Sequence, residues 1–369
     1  MLNLTKKGRE VVNRRDVIVG TVAVATMAAL SACARKPKAV PVVDGALSIA
    51  SAPNPHVFPL LLAMSLDPGL PIRLIPIAES VEADALFASG HADGLVAMTY
   101  IGAKKRISGA IPDLRLHSIY TWRGFFEVVP EGIASFADLR GKTVIVSGPI
   151  GSGKDGGGDV IFQAAARRQG IVPGRDLQVK YMPVKQGADL VALGRAAGIT
   201  IPSPGNTGMV MRSQMAQKPV AHAIMRLRGK GDLNVPLTSA IDFQRIFSGF
   251  VSFPDGQLPL GGLHVSERAL ASPAKRAKID RIARGYADAV TAFMADPGRH
   301  ADVIASAYDS HFSSMGGGAP PAILLSRSVE AGDLVYRRDI GVGAVRADLS
   351  AWLGELLGRD IDPAFLADI

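Results

Sequence analysis

Cysteine is nearly absent: Cys33 is the only one in 369 residues. Disulfides are therefore excluded as a source of stability, and so are cysteine-based metal sites or a thiol nucleophile in the body of the chain. Lysine and arginine form no dense run with interleaved aromatics, which argues against a nucleic-acid partner. No serine sits in a G-x-S-x-G elbow, there is no H-E-x-x-H, and the seven histidines are scattered. The chain thus shows no catalytic set, and nothing in it calls for a cofactor or a metal. His56, at a helix start beside Pro55, is the one histidine near a candidate site, where a capping or packing role fits best. The apolar run Val17 to Leu30 is also short: fourteen residues, against about 20 for a bilayer-spanning helix.

That run has an informative setting. Lys6, Lys7, Arg9, Arg14 and Arg15 precede it against Glu10 and Asp16, a net +3 of the chain's +8, leaving +5 for the rest. A positive leader followed by a short apolar run is the pattern of an export signal. Arg14-Arg15 resembles a twin-arginine signal, although Asn13 and Asp16-Val17-Ile18 depart from it. Leu30-Ser31-Ala32-Cys33 resembles a lipobox, in which cleavage frees Cys33 for lipid attachment. Residues 1–33 then form the signal and 34–45 a Pro/Lys/Val-rich tether. The expected location is the periplasmic face of the membrane, attached to the bilayer through Cys33.

The remainder is globular in composition, 48% apolar and 20% charged, and long enough for two domains. Strands are predicted at Ala46–Ala50, Pro71–Ile77 and Ala92–Met98, with helices at Val57–Met64 and Val81–Ala88 between them. Such an alternation with short connections makes a parallel sheet covered by helices. Leu114 to Val129 has aromatics but no helical period and reads as extended chain crossing between domains. A second alternation follows: Thr143–Val146, a helix from about Asp159 to Arg168, a strand at Leu177–Met182, a helix at Gly187–Leu193 and a strand at Gly198–Ile201. Ala83–Leu95 and Ala188–Ile199 echo one another as helix, glycine stop, strand, which points to two similar lobes. Gln257–Val265 reads as a returning strand. Ile279, Ile282, Ala283, Tyr286, Val290, Phe293 and Met294 then mark one helical face ended by Asp296-Pro297-Gly298. Helices at Arg299–Tyr308, Pro320–Ala331 and Val345–Leu357 make the last third packing material.

The stretch Thr143–Gly170 concentrates the ligand signal. Gly148-Pro149-Ile150-Gly151-Ser152-Gly153-Lys154 has the glycine and lysine spacing of a P-loop, but Asp155 stands where the motif needs Ser or Thr, and a carboxylate there would repel phosphate. Gly151–Gly156 also matches G-x-G-x-x-G. Both matches follow from a loop full of glycine, and an exported protein has little access to nucleotides. What survives is a strand, a close-approach loop and a helix start, a setting for an anionic ligand. The competing account is a surface loop with no ligand. Lys154 and Lys185 are the cations available to an anion, or else solvated surface charges. Trp122, Phe125 and Tyr100 are the rings available to a planar solute.

Ala137-Asp138-Leu139-Arg140-Gly141-Lys142-Thr143-Val144, the helix–glycine–Asp93 segment ending at Met98, and Leu258-Pro259-Leu260-Gly261-Gly262-Leu263 resemble the periplasmic substrate-binding proteins of ABC importers. The resemblance is to the group handling nitrate, sulfonates, taurine and thiamine precursors. It implies a two-lobed (type II) α/β fold, each lobe a mixed or parallel sheet flanked by helices, joined by two crossover segments. Lobe 1 would be 46–122 plus 253–369 and lobe 2 would be 123–252. It further implies a monomeric, non-enzymatic receptor that closes on a small solute, an anion or a planar heterocycle, and delivers it to a membrane permease. Carried onto this sequence, the ligand-binding positions are Ser51, Pro53, Asn54, Glu79, Ser80, Met98 and Thr99 from one lobe. From the other they are Ser147, Gly148, Ser152, Gly153, Lys185, Ser203 and Asn206. The glycine-dense loop 151–158 and Pro202-Ser203-Pro204 depart from the pattern. Two alternatives remain: an enzyme on the same fold acting on a pyrimidine- or menaquinone-precursor-like substrate, and a binding lobe used in signalling or assembly.

Overall fold

A computed structural model of the chain describes residues 45–148, 153–217, 235–315, 318–338 and 340–366. The signal, Cys33, the tether up to residue 44, and Ser152 lie outside these residues. Strands β1 (Leu47–Ser51), β2 (Ile72–Pro76) and β3 (Gly94–Met98) pair in parallel with β1 in the middle. Helices α1 (Phe58–Leu66) and α2 (Ser80–Ala88) connect them, and α3 (Thr99–Ile107) follows β3. The extended stretch is two strands, β4 (Leu114–Arg123) and β5 (Phe125–Pro130), separated by Gly124. A φ of +157° at Gly124 suits glycine, and here the chain passes from one sheet to the other.

The second sheet then assembles from β6 (Thr143–Gly148), β7 (Gln178–Pro183), β8 (Gly198–Pro202) and β9 (Leu237–Asp242) around β5. Its helices are α4 (Gly157–Arg168), α5 (Val184–Ala192), α6 (Gly205–Ala216) and the short α7 (Phe243–Ile246). The chain returns through β10 (Gly261–Ser266) and α8 (Glu267–Leu270), then α9 (Pro273–Ala295), α10 (Pro297–Phe312), α11 (Ala322–Glu330), β11 (Val335–Tyr336) and α12 (Val342–Leu357).

The strand orders are β11-β4-β10-β3-β1-β2 and β7-β6-β8-β5-β9. Apart from β11, the two sheets are built alike. In each, a central strand is flanked by two parallel neighbours, and an antiparallel strand from the crossover lies beside the third. The sequence echo has this cause: α2–β3 and α5–β8 occupy the same station in their sheets. The fold is therefore α/β, two mixed sheets flanked by helices. Val144, Ile145 and Val146 of β6 are fully buried, as a β-branched strand covered on both faces should be. On α9, Ile279, Ile282, Tyr286, Val290 and Phe293 face the core, with its N-cap Ser272 accepting from Lys275 N and Asp296 beyond its end. Helices α3 and α6, the short α7 and α8, and strands β9 and β11 have no counterpart among the sequence predictions. The apolar residues of α6, Met209, Val210, Met211 and Met215, form no single stripe.

One apolar cluster runs through both sheets. It joins Tyr100, Leu116 and Trp122 to Phe125, Val146, Ile161 and Phe162, and to Val345, Leu349, Trp352 and Leu356 of α12. The α12 residues recur at helical spacing, so one stripe faces inward. Trp352 meets Tyr100, Phe253 and Phe247 edge-on at centroid distances of 6.0, 6.1 and 6.4 Å, a geometry the ring quadrupoles favour. Among the described residues no helix is long and apolar enough to cross a membrane.

Candidate functional site

In open α/β sheets, ligands bind beyond the carboxyl ends of the strands. Here those ends face one another across the two sheets. Tyr100 Oη donates to Gly157 O at 2.9 Å, and Lys104 Nζ to Asp155 O at 3.1 Å. A Cβ on Gly157 would overlap the Met98 sulfur, so the Met98 side chain packs directly on the start of α4. Met98 is half-buried in that contact. Thr99 is buried, its Oγ1 donating to Pro259 O at 2.5 Å.

On the same side, Ser51 is buried with its hydroxyl directed to Ala52 O at 3.0 Å and Val96 O at 3.4 Å. Pro53 and Asn54 are half-buried on the following loop. Asn54 Oδ1 accepts from His56 N at 2.9 Å and so caps the turn that leads into α1. The loop is clamped from below: Tyr286 Oη donates to His56 O, and Tyr336 Oη to Pro55 O at 2.8 Å. Neither ring nitrogen of His56 has a partner, and burial, then the nearby His264, holds its pKa down to about 3. The neutral ring is packing, not a ligand. Glu79 and Ser80 lie further out. Glu79 forms a capping box with Glu82, and the Ser80 carbonyl accepts from Lys105 Nζ at 2.8 Å.

From the second sheet, Ser147 is buried and donates to Thr200 O at 2.5 Å, and Gly148 ends β6. Gly153 packs on Tyr181, whose Cβ would lie 2.7 Å from any Cβ at 153. Asp155, with φ of +62°, turns the chain into α4. Its N–H donates to Asp159 Oδ2 at 2.8 Å, and the other oxygen accepts from Tyr181 Oη at 3.0 Å and Gln163 Nε2 at 3.1 Å. The chain's own carboxylate thus occupies the start of α4, where it would repel a phosphate. Lys185 is exposed at the start of α5, apart from the buried groups.

Ser203 and Asn206 are fully buried, with a cis peptide joining Ser203 to Pro204. Ser203 Oγ lies 2.6 Å from Asn206 Oδ1. Asp333, from the segment between α11 and β11, reaches this pair and the neighbouring Thr207. Nothing in the local sequence marks Asp333 or Thr207 as members of the site, because their partners lie far along the chain, whereas Gly157 belongs to the glycine-dense loop. Trp122, Phe125 and Tyr100 are all buried in the shared apolar cluster. Beneath the site, Glu127 is wholly buried. Its Oε2 accepts from Thr200 Oγ1 at 2.5 Å, and its other oxygen has no partner. Burial holds its pKa well above the usual carboxylate range, against the smaller lowering by Thr200.

No protein-family model matches the chain, and no curated protein matches it. Solved structures do. An ABC transporter protein from Parabacteroides distasonis superposes with a TM-score of 0.58 over 88% of this chain and 99% of its own, at 11% identity. The periplasmic aliphatic sulphonate binding protein of Escherichia coli gives 0.56 over 86% and 90%, at 13% identity. A Candida albicans gene product exhibiting the generic periplasmic binding protein fold gives 0.51 over 87% and 93%, at 14%. This chain has the periplasmic-binding-protein fold. Of the expected positions, Ser51, Pro53, Asn54, Met98, Thr99, Ser147, Gly148, Gly153, Ser203 and Asn206 lie at or next to the facing strand ends described above. Glu79 and Ser80 lie at the start of α2, Lys185 is exposed at the start of α5, two residues past the end of β7, and Ser152 is outside the described residues.

Proposed function

We propose that the protein is a lipid-anchored, monomeric solute-binding receptor of an ABC importer. In this reading, residues 46–122 with 253–369 form one lobe and 123–252 the other, and a small solute is captured between them and passed to a membrane permease. The carrying observation is the pair of like-built sheets with facing strand ends, in a fold shared with ABC-type binding proteins that include a sulphonate binder. Closure would bring contacts from both lobes to the solute, so the ligated form gains free energy only when shut. A small organic or inorganic anion is favoured over a planar heterocycle, because the aromatic rings nearest the cleft are spent in the core. Hydroxyl, amide and backbone groups then supply the recognition.

Calorimetric melting against a library of carboxylates, sulfonates, nitrate and pyrimidines tests the reading. The right solute raises the melting temperature by mass action, by an increment that grows with its concentration. Small-angle scattering on the same samples should show compaction. A library with no stabilising member and no compaction would refute the receptor assignment.

A further inference from the structure

Asp333 belongs by connectivity to the first sheet: the segment it starts continues into β11, which pairs with β4 at that sheet's edge. Its contacts, however, are with the second sheet. Asp333 Oδ2 accepts from Thr207 Oγ1 at 3.0 Å and from Asn206 Nδ2 at 3.2 Å, and its main-chain O lies 3.1 Å from Ser203 Oγ. Asn206 Nδ2 also reaches Ser239 Oγ at 3.3 Å, and Ser328 Oγ supports Thr207 at 2.9 Å. Asn206 and Thr207 sit on the first turn of α6 and Ser203 lies just before it, with Ser203 and Asn206 fully buried. Buried neutral donors converging at a strand's carboxyl end suit a small anion.

The carboxylate is held without a cation. Among the described residues no ion pair includes Asp333, and Asp242 acts on it as a like charge. A competing anion that takes over the same donors would therefore break no salt bridge. The hydrogen bonds lost by Asp333 would be remade by the newcomer, and the freed carboxylate would regain water.

We propose that Asp333 is a built-in occupant of the anion position in the cleft. It ties the two sheets together when no solute is bound and gives up Asn206 and Thr207, the two donors its carboxylate holds, to the carboxylate or sulfonate of an arriving solute. The choice of solute class rests on the receptor reading; the tie itself does not. Such an occupant lowers the apparent affinity for every anion by the fraction of molecules in which it is seated. Only a solute with further contacts elsewhere in the cleft overcomes it. Asp333 is thus a specificity-determining residue that screens out small ubiquitous anions.

The test uses the full-length protein and its Asp333→Ala and Asp333→Asn variants, melted in acetate and in methanesulfonate, with chloride at matched ionic strength. D333A should melt lower than wild type and regain stability with acetate or methanesulfonate, at concentrations at least tenfold below any effect on wild type. Adding Asn206→Ala to D333A should abolish the gain. D333N fills the space without the charge, so it should not gain the anion response, while hydrogen exchange at residues 205–208 should quicken. Equal anion responses in wild type and D333A, or a D333A response that survives N206A, would overturn the proposal. Should D333A not fold, unchanged exchange in D333N overturns it as well. The two readings separate cleanly. D333A that takes acetate while no solute stabilises wild type supports the tie alone. A solute bound equally by wild type, D333A and D333N supports the receptor alone.

Discussion

Glu127 shows how a single residue sets a pH response. Its carboxyl is fully buried with one hydrogen bond, and burial raises its pKa well above the usual range. The folded state therefore holds a proton that the unfolded state releases near pH 4–5. With more protons bound folded than unfolded, this group's contribution is intact in acid and is lost as pH rises from the unfolded value toward the folded one. Glu127→Gln removes the titration. Its stability relative to wild type should be higher at pH 8 than at pH 5, as read from urea midpoints at the two values. A difference that is constant with pH would show that the carboxyl does not titrate on unfolding. At the same scale, Cys33→Ala should move the protein from the membrane fraction to the soluble one. Wild-type protein that takes up no labelled fatty acid, or equal labelling of the Cys33→Ala variant, would rule out the lipid anchor.

Elements depend on glycine at the few places where chain meets chain. Gly157 lets α4 touch β3, so Gly157→Val must push the Met98 side chain aside at that contact. Solute affinity should fall at least tenfold while the far-ultraviolet circular dichroism stays unchanged; unaltered affinity would show the contact to be incidental. Gly153→Leu, which must displace Tyr181, should weaken solute binding similarly. Most elements were legible in the sequence because their signals are local: a β-branched run for β6, glycine stops after α2 and α5, an apolar stripe on α9. Helix α6 and strand β9 were not. The stripe of α6 is lost among methionines on several faces, and β9 is shaped by its pairing with β5. The site was legible to the extent that it follows strand ends, as with Ser51, Met98, Ser147 and Ser203. Asp333 lies 127 residues from Asn206, and only the folded topology brings them together. Trp122, Phe125 and Tyr100 have the chemistry to stack on a solute, but a third partner, α12, claims them for the core.

At the scale of the molecule, that helix decides how independent the two halves are. Trp352 is fully buried among rings from both, so Trp352→Ala should cost about 3–5 kcal/mol. Calorimetry of the wild-type protein should show one cooperative transition; two separated peaks would mean that the halves melt alone. The same helix has a consequence for biosynthesis. Every other described α-helix leaves the ribosome before α12 does, and until it arrives the seam it covers stays open to water. A chain stopped before residue 342 would therefore carry two nearly finished sheets with a bare apolar trench between them. Such a species is a client for chaperones and a seed for aggregation. Maturation of this protein would then be timed by its last long helix, and a holdase acting on the nascent chain would have its binding site at that trench.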